Sequence, residues 1–303
     1  MELLKALCAC HAPSGSERPL RDFLLHYIQT HVPKWKVQPT LVYGDEWQDN
    51  LMLVFGKPRT AVLAHMDSVG FTVRYQNQLV PIGGPEVKSG YTLVGQDALG
   101  PIECTLEVNE EGYLFYQFPR AIQRGTSLTF KPDFRETKSY VQSCYLDNRL
   151  GIYNALQLAE TLEDGIIAFS TWEEHGGGSV PQIAKWMVET YGVRQALISD
   201  ITWVTDGVFH GKGVVVSLRD RNIPRKVYLD KIIALATESG FPFQLEVEAH
   251  GSSDGRELHQ SPYPIDWCFV GAPEDHVHSP DEKVHKADIK AMLGLYQYLM
   301  KHL

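Results

Sequence analysis

Apolar positions recur along this chain in two rhythms. Leu20, Phe23, Leu24, Tyr27 and Ile28 repeat at helical spacing. Ser14-Gly15-Ser16-Glu17 just before them has the spacing of a capping box, which predicts a helix start near Ser14. Asn50 to Phe55 reads as a strand, and Thr60 to Ala64 is a short continuous apolar run, the look of a strand buried on both faces. From Asp147 onward the two rhythms alternate. Leu150, Tyr153, Leu156, Ala159 and Leu162 mark a helix, followed by a buried strand at Ile166 to Ser170. A helix over Val180–Tyr191, a strand at Ala196–Ser199 and a helix over Val227–Ser239 stopped by Gly240 come next. A strand at Trp267–Val270 and an amphipathic helix over Ala287–Leu303 complete the series. Such alternation implies an α/β fold with a mostly parallel sheet covered on both faces.

Residues 69–141 break the alternation. Short segments such as Tyr91–Val94 and Ile102–Leu106 are interrupted by glycines, and Asn109–Gly112 reads as a hairpin turn. This stretch is expected to be a small β-rich domain inserted into a larger one formed by residues 1–68 and 142–303. A chain of 303 residues is long enough for both.

Composition narrows the function. The formal net charge is -9 and no basic run is present, which speaks against nucleic acid as a partner. No apolar run approaches the ~20 residues of a membrane span. The segment Met1–Lys5 lacks a signal-peptide pattern. Five scattered cysteines with no C-x-x-C pair suggest neither a disulfide framework nor a zinc knuckle, and fit a reducing cytoplasm.

The candidate chemistry lies where the buried strands end. His65-Met66-Asp67 follows one, Glu173-Glu174 a second, Asp200 a third, and a loop with His278-Ser279-Pro280 a fourth; Asp147 precedes a helix. In open α/β sheets ligands bind outside the carboxyl ends of the strands. Two histidines and three carboxylates suit zinc, cobalt or manganese better than calcium or copper. Two divalent ions, three carboxylates and one bridging hydroxide also balance to neutrality, which avoids burying uncompensated charge. Asp67 can accept a hydrogen bond from the His65 nitrogen that does not face the metal. Adjacent strand residues point in opposite directions, so one of Glu173 and Glu174 can ligate metal while the other faces a bound water.

These motifs, in their order, resemble the glutamyl-aminopeptidase-like metallopeptidases that include the TET aminopeptidases (metallopeptidase family 42). Ala64 to Phe71 resembles the family's first motif and Leu146-Asp147-Asn148-Arg149-Leu150-Gly151 its bridging-aspartate motif. Glu173-Glu174, Ser199-Asp200-Ile201-Thr202 and His278-Ser279-Pro280 resemble the rest, with Ala12–Glu17 and Pro81–Gly84 as further points of similarity. The resemblance implies a phosphorylase/hydrolase-like α/β/α catalytic domain with a PDZ-like β insertion, and a homo-oligomer. It implies that Asp147 bridges two divalent ions of zinc type, that His65 and Asp200 complete one, and that Glu174 and His278 complete the other. Glu173 is then the general base and Asp67 orients His65. The expected activity is removal of N-terminal residues from peptide substrates by a metal-bridging hydroxide.

Three departures bear on substrate preference: Ser68 where the family commonly has an acid, His175-Gly176-Gly177-Gly178 after the paired glutamates, and Ser252-Ser253-Asp254 near a segment that is usually Gly-Thr-Asp. Rival readings are a related dipeptidase, carboxypeptidase or amide deacylase, a metal-free glycoside hydrolase, and a non-catalytic peptide-binding protein.

Overall fold

The computed structural model describes the whole chain, Met1–Leu303. Its strands are β1 (Thr40–Val42), β2 (Leu51–Phe55), β3 (Ala61–His65), β4 (Gly70–Val73), β5 (Gln78–Ile82), β6 (Thr92–Asp97), β7 (Gly100–Val108), β8 (Leu114–Gln117), β9 (Ser127–Phe130), β10 (Arg135–Glu136), β11 (Tyr140–Gln142), β12 (Gly165–Ser170), β13 (Gln195–Trp203), β14 (Val214–Arg219), β15 (Phe243–Val247), β16 (Asp266–Asp275) and β17 (Lys283–His285). The helices are α1 (Glu2–Cys8), α2 (Arg18–His31), α3 (Leu146–Ala159), α4 (Val180–Tyr191), α5 (Lys226–Ser239), α6 (Asp254–Gln260) and α7 (Lys286–His302).

Eleven strands form one mixed sheet, in the order β1-β2-β12-β3-β13-β16-β17-β11-β10, with β14 and β15 branching from β16. Its centre is parallel: β12 with β3, β3 with β13, and β13 with β16. The alternation of side chains across the sheet explains the three layers. Leu51, Leu53, Phe55, Val62, Ala64, Ile167, Phe169 and Leu197 pack on the face covered by α1, α2, α3, α5 and α7. Met52, Val54, Ala61, Leu63, Ile166, Ala168, Ala196 and Ile198 pack on the opposite face with Ile183, Ala184 and Met187 of α4 and Leu258 of α6. Both faces being apolar, the central strands read as unbroken hydrophobic runs.

The sheet needs close approaches that side chains would block. A Cβ on Gly151 of α3 would come 2.0 Å from the Ser199 carbonyl of β13. Asn148 Oδ1 accepts from Gly151 N at 2.9 Å, and Asn148 Nδ2 donates to the Ser199 carbonyl at 2.9 Å. Asn148 therefore caps the regular part of α3 and pins it to β13.

Strands β4 to β9 close into a separate six-stranded barrel, in the order β4-β5-β8-β7-β6-β9. It has its own core, built around Phe71, Leu93, Leu106, Leu128 and Phe130. The barrel meets the larger unit beside the carboxyl ends of the central strands, where Gly83 N donates to His175 Nδ1 at 3.0 Å.

Three expectations need correction. Glu173 and Glu174 do not continue a strand with alternating sides: β12 ends at Ser170, the chain turns at Trp172 with a positive φ, and both glutamates lie in the turn that follows. The helix predicted near Ser14 begins at Arg18, and no capping box forms. Ser14 Oγ donates instead to Asp67 Oδ2 at 2.5 Å, and Glu17 Oε1 accepts from Gly15 N and from Trp172 N. The strands at Ala196 and Trp267 also run on to Trp203 and Asp275, because β13 and β16 stay paired from Gln195–Asp266 to Trp203–Glu274.

Candidate active site

The five residues singled out as ligands converge at the carboxyl end of the central strands. His65 is the last residue of β3, and Asp200 lies within β13 on the same face. His65 Nε2 is 3.1 Å from Asp147 Oδ1 and 3.6 Å from Asp200 Oδ2. His278 Nε2 is 3.3 Å from Asp147 Oδ2 and 3.1 Å from Glu174 Oε2. Two triads result, His65–Asp147–Asp200 and Asp147–Glu174–His278, each with its donor atoms within 4.8 Å of one another and with Asp147 common to both.

Each imidazole is aimed by its other nitrogen. His65 Nδ1 lies 3.2 Å from the Asp67 carbonyl, and His278 Nδ1 lies 3.1 Å from the Gly84 carbonyl on the barrel. In the neutral form of each ring, which metal binding would require, a proton on Nδ1 leaves the Nε2 lone pair directed into the triad. The Asp67 carboxylate is farther from His65, at 3.5 Å. It accepts from Glu173 N at 3.0 Å and Glu174 N at 2.9 Å as well as from Ser14. Asp67 thus fixes the backbone that carries both glutamates, a job its spacing from His65 did not suggest.

Asp147 is freed for the triads because its neighbour does the capping. Asp147 and Asn148 have non-helical backbone angles, so regular α-helix starts after them. Asp147 N donates to Glu282 Oε2 at 3.2 Å, and Glu282 Oε1 accepts from His278 N at 3.0 Å. One buried carboxylate therefore holds two of the five groups. Arg149, fully buried, donates to the carbonyls of Leu7, Met66, Asp67 and Cys10 and so fixes the turn after β3. Nothing in the sequence marked Glu282 or Ser14 as partners of the site; their partners lie far away in the chain.

The electrostatics call for positive charge. Burial alone works to lower the His65 pKa, but Asp200, Asp147 and Asp67 override it and hold it well above the ordinary value. The same contest, with Glu174 and Asp147 as the carboxylates, lifts His278 to about 12. Burial raises Glu173 well above the usual carboxyl range, with Glu174, Asp200 and Asp254 adding to the rise. Burial likewise lifts Asp200 to about 6 and Asp254 to about 7.

The donor set fits divalent cations. Asp147 Oδ1 and Glu174 Oε1 are buried without a hydrogen-bond partner, a costly state for a carboxylate. Although His65 Nε2 and Asp147 Oδ1 are 3.1 Å apart, they are not aligned as donor and acceptor. Atoms arranged in this way point at a common position between them. Nitrogen and carboxylate oxygen at two adjacent positions match zinc, cobalt or manganese.

The residues left outside the ligand set also have places. His175 ties the Glu174 loop to the barrel through Gly83. His250 is exposed and does not line the cleft. Asp254, in the segment that departs from the family pattern, accepts from Ser170 Oγ beneath the site.

Comparison with known proteins bears on the fold and the family. The chain resembles a TET aminopeptidase from a marine sediment archaeon, Thaumarchaeota archaeon SCGC AB-539-E09, with a TM-score of 0.88 and 18% identity over 100% of this chain and 96% of that one. It resembles the TET1 peptidase of Pyrococcus horikoshii with a TM-score of 0.81 and 21% identity, covering 98% of each chain. These similarities establish the α/β fold. A curated protein of Acetivibrio thermocellus named "Putative aminopeptidase" is 24% identical over 97% of this chain and 96% of its own length. The sequence profile described as M42 glutamyl aminopeptidase matches residues 119–295, more than half of the chain. The chain therefore belongs to the M42 glutamyl aminopeptidases, metal-dependent peptidases, as its ordered motifs imply.

Proposed function

We propose that this protein is a dinuclear aminopeptidase in which Asp147 is shared by two divalent ions, most simply zinc. His65 and Asp200 would complete one site, and Glu174 and His278 the other. The observation that carries this reading is the pair of triads meeting at one carboxylate. When bound, the ions supply Lewis-acid polarisation of the scissile carbonyl and make an attacking water acidic near neutral pH.

The chain's own groups do the rest. Glu173 takes the proton of the attacking water on its carboxylate and returns it to the leaving amine. Its carboxyl is free for this because its backbone N–H, not its side chain, is held by Asp67. Asp67, Glu282 and Arg149 are positioning residues. Asp67 and Arg149 hold the Glu173–Glu174 backbone and the turn after β3, and Glu282 holds Asp147 and His278. The catalytic unit is residues 1–68 and 142–303, and the barrel is contained in the insert 69–141. The Pyrococcus horikoshii relative assembles into a tetrahedron or a large octahedral shell; a homo-oligomer is the corresponding proposal here. No helix is long and apolar enough to cross a membrane. Five free cysteines fit a reducing cytoplasm.

The test is hydrolysis of free and N-acetylated aminoacyl anilides by chelator-stripped enzyme reloaded with zinc, cobalt or manganese. Metal-dependent cleavage confined to free-amine substrates is expected. Cleavage of acetylated substrates alone would move the assignment to an amide deacylase. In the same assay Glu173→Gln keeps its metal and loses ~10²–10⁴ in rate; an unchanged rate refutes the general-base role.

A further inference from the structure

The cleft that holds the two triads does not end at them. It encloses about 660 Å³, including its open mouth, and continues past Asp200 to Thr202, Trp203, Ser217, Asp220 and Glu246. Thr202 lies two residues beyond Asp200 on the same face of β13, a rise of roughly 6.6 Å. Its Oγ1 donates to Glu246 Oε1 at 2.5 Å. Glu246 is paired in register with Ser217 across β14 and β15 and is only 4% exposed. Asp220 closes the same end. Its Oδ1 accepts from Asn222 N and Nδ2, which holds the carboxylate at the cleft lining.

This extension carries two carboxylates and no lysine or arginine. Neither Glu246 nor Asp220 takes part in an ion pair: Arg219 directs its Nε to the Asp220 carbonyl. The ligand carboxylates near Asp147 have cations to balance them once metal is bound; these two do not. Trp203, 38% exposed, walls the extension beside Gly251, and Phe269 and Val277 add apolar surface. An aliphatic stem running along an aromatic wall to a buried carboxylate is the arrangement that accommodates a long cationic side chain.

Resting on the aminopeptidase reading, we propose that Glu246 and Asp220 form the side-chain pocket for the substrate's N-terminal residue and select lysine or arginine. An acidic N-terminal residue would bring a third carboxylate into the same pocket and is disfavoured by like-charge repulsion in a desolvated setting. The preference of this chain thereby departs from the glutamyl specificity in its family's description. The distance also fits. A lysine whose α-carbon lies near Asp200 carries its Nζ about the length of two strand residues away, to the Thr202–Glu246 bond.

The experiment measures kcat/KM of the full-length, metal-loaded enzyme on Lys-, Arg-, Leu- and Glu-anilides, for wild type, Glu246→Gln and Asp220→Asn. Wild type is expected to prefer Lys and Arg over Leu by at least ~10-fold and over Glu by ~100-fold. Glu246→Gln should lower the Lys-to-Leu ratio at least ~10-fold, with Asp220→Asn acting in the same direction. If Glu246→Gln does not fold, calorimetric binding of L-lysinamide and L-leucinamide to metal-loaded Glu173→Gln, with and without Asp220→Asn, decides: lysinamide must bind more tightly, and Asp220→Asn must reduce the difference. An active enzyme that prefers Leu or Glu, or variants that leave the Lys-to-Leu ratio unchanged, overturns the pocket and leaves the aminopeptidase reading intact. Failure to cleave any free-amine substrate overturns that reading and this one together.

Discussion

The two triads share a carboxylate but are built differently. The inner one, His65–Asp147–Asp200, is buried throughout and takes two of its members from adjacent strands of the parallel sheet. Its geometry is set by strand register, and a one-residue slip of β3 against β13 would put His65 and Asp200 on opposite faces of the sheet. The outer one, Asp147–Glu174–His278, takes two members from loops, and the His278 side chain is 30% exposed. Its geometry depends on separate tethers: Asp67 for the Glu174 backbone, Glu282 for the His278 backbone, and Gly84 for the His278 ring. A rigid half and a tethered half are thus joined through Asp147, and different damage should separate them.

The largest effect is expected where the halves meet. Asp147→Asn should reduce bound metal below one ion per chain and the rate by at least ~10³-fold, since several kcal/mol of charge stabilisation is lost. Full retention of both ions, measured by elemental analysis, rules out a shared carboxylate. Next, Asp67→Asn should loosen the outer half more than the inner, because its short hydrogen bonds go to the Glu173 and Glu174 backbone and His65 lies farther off. One ion is expected to remain at near wild-type affinity, the other to weaken by ~10–100-fold, and activity to fall in parallel. Equal weakening of both ions would show that the inner half is no more rigid than the outer.

The smallest effect probes the seam between barrel and sheet. His11 is hydrogen-bonded to Thr129 Oγ1 at 3.0 Å and to Ser127 Oγ at 3.2 Å, at the barrel strand β9. Burial, aided by the nearby Arg149 charge, lowers its pKa to about 4. The unfolded chain takes up this proton as pH falls through about 6.5 and the folded chain does not until about 4. Stability from this group is therefore intact above pH ~6.5 and declines toward pH ~4, by ~1–3 kcal/mol after allowance for its partial exposure. His11→Gln should flatten that part of the pH–stability curve in denaturant melts; a curve with the same slope as wild type removes His11 from the account.

The contrast between the halves also explains what could be read from the sequence. Strands β2, β3 and β12 and helices α4, α5 and α7 announce themselves because their apolar periodicity is local. Four of the five candidate ligands could be named because they sit at or after the ends predicted for such strands, and Asp147 because it opens a helix. The tethers were illegible for the opposite reason. Ser14 looks like a helix cap until Asp67, 53 residues on, claims its hydroxyl. Glu282 is one acid among 37 until folding places it against Asp147 N, 135 residues earlier. The pocket acid Glu246 sits on β15, a strand with no distinctive pattern, and gains its meaning only from Thr202 on another strand. Buried polar groups acquire their roles from pairings that no local window contains.

The Gly84 carbonyl has one more consequence. It belongs to the segment that follows β5 of the barrel, yet it fixes the ring of a residue at the mouth of the sheet. Whatever holds that ring also holds the barrel, so the two equilibria are thermodynamically linked, and the linkage runs both ways with equal strength. A cation gripped by His278 must tighten the docking of the barrel. In the proposed homo-oligomer, a neighbouring subunit that braced the barrel would, by the same free energy, raise the affinity for that cation, coupling assembly to the loading of the proposed outer site.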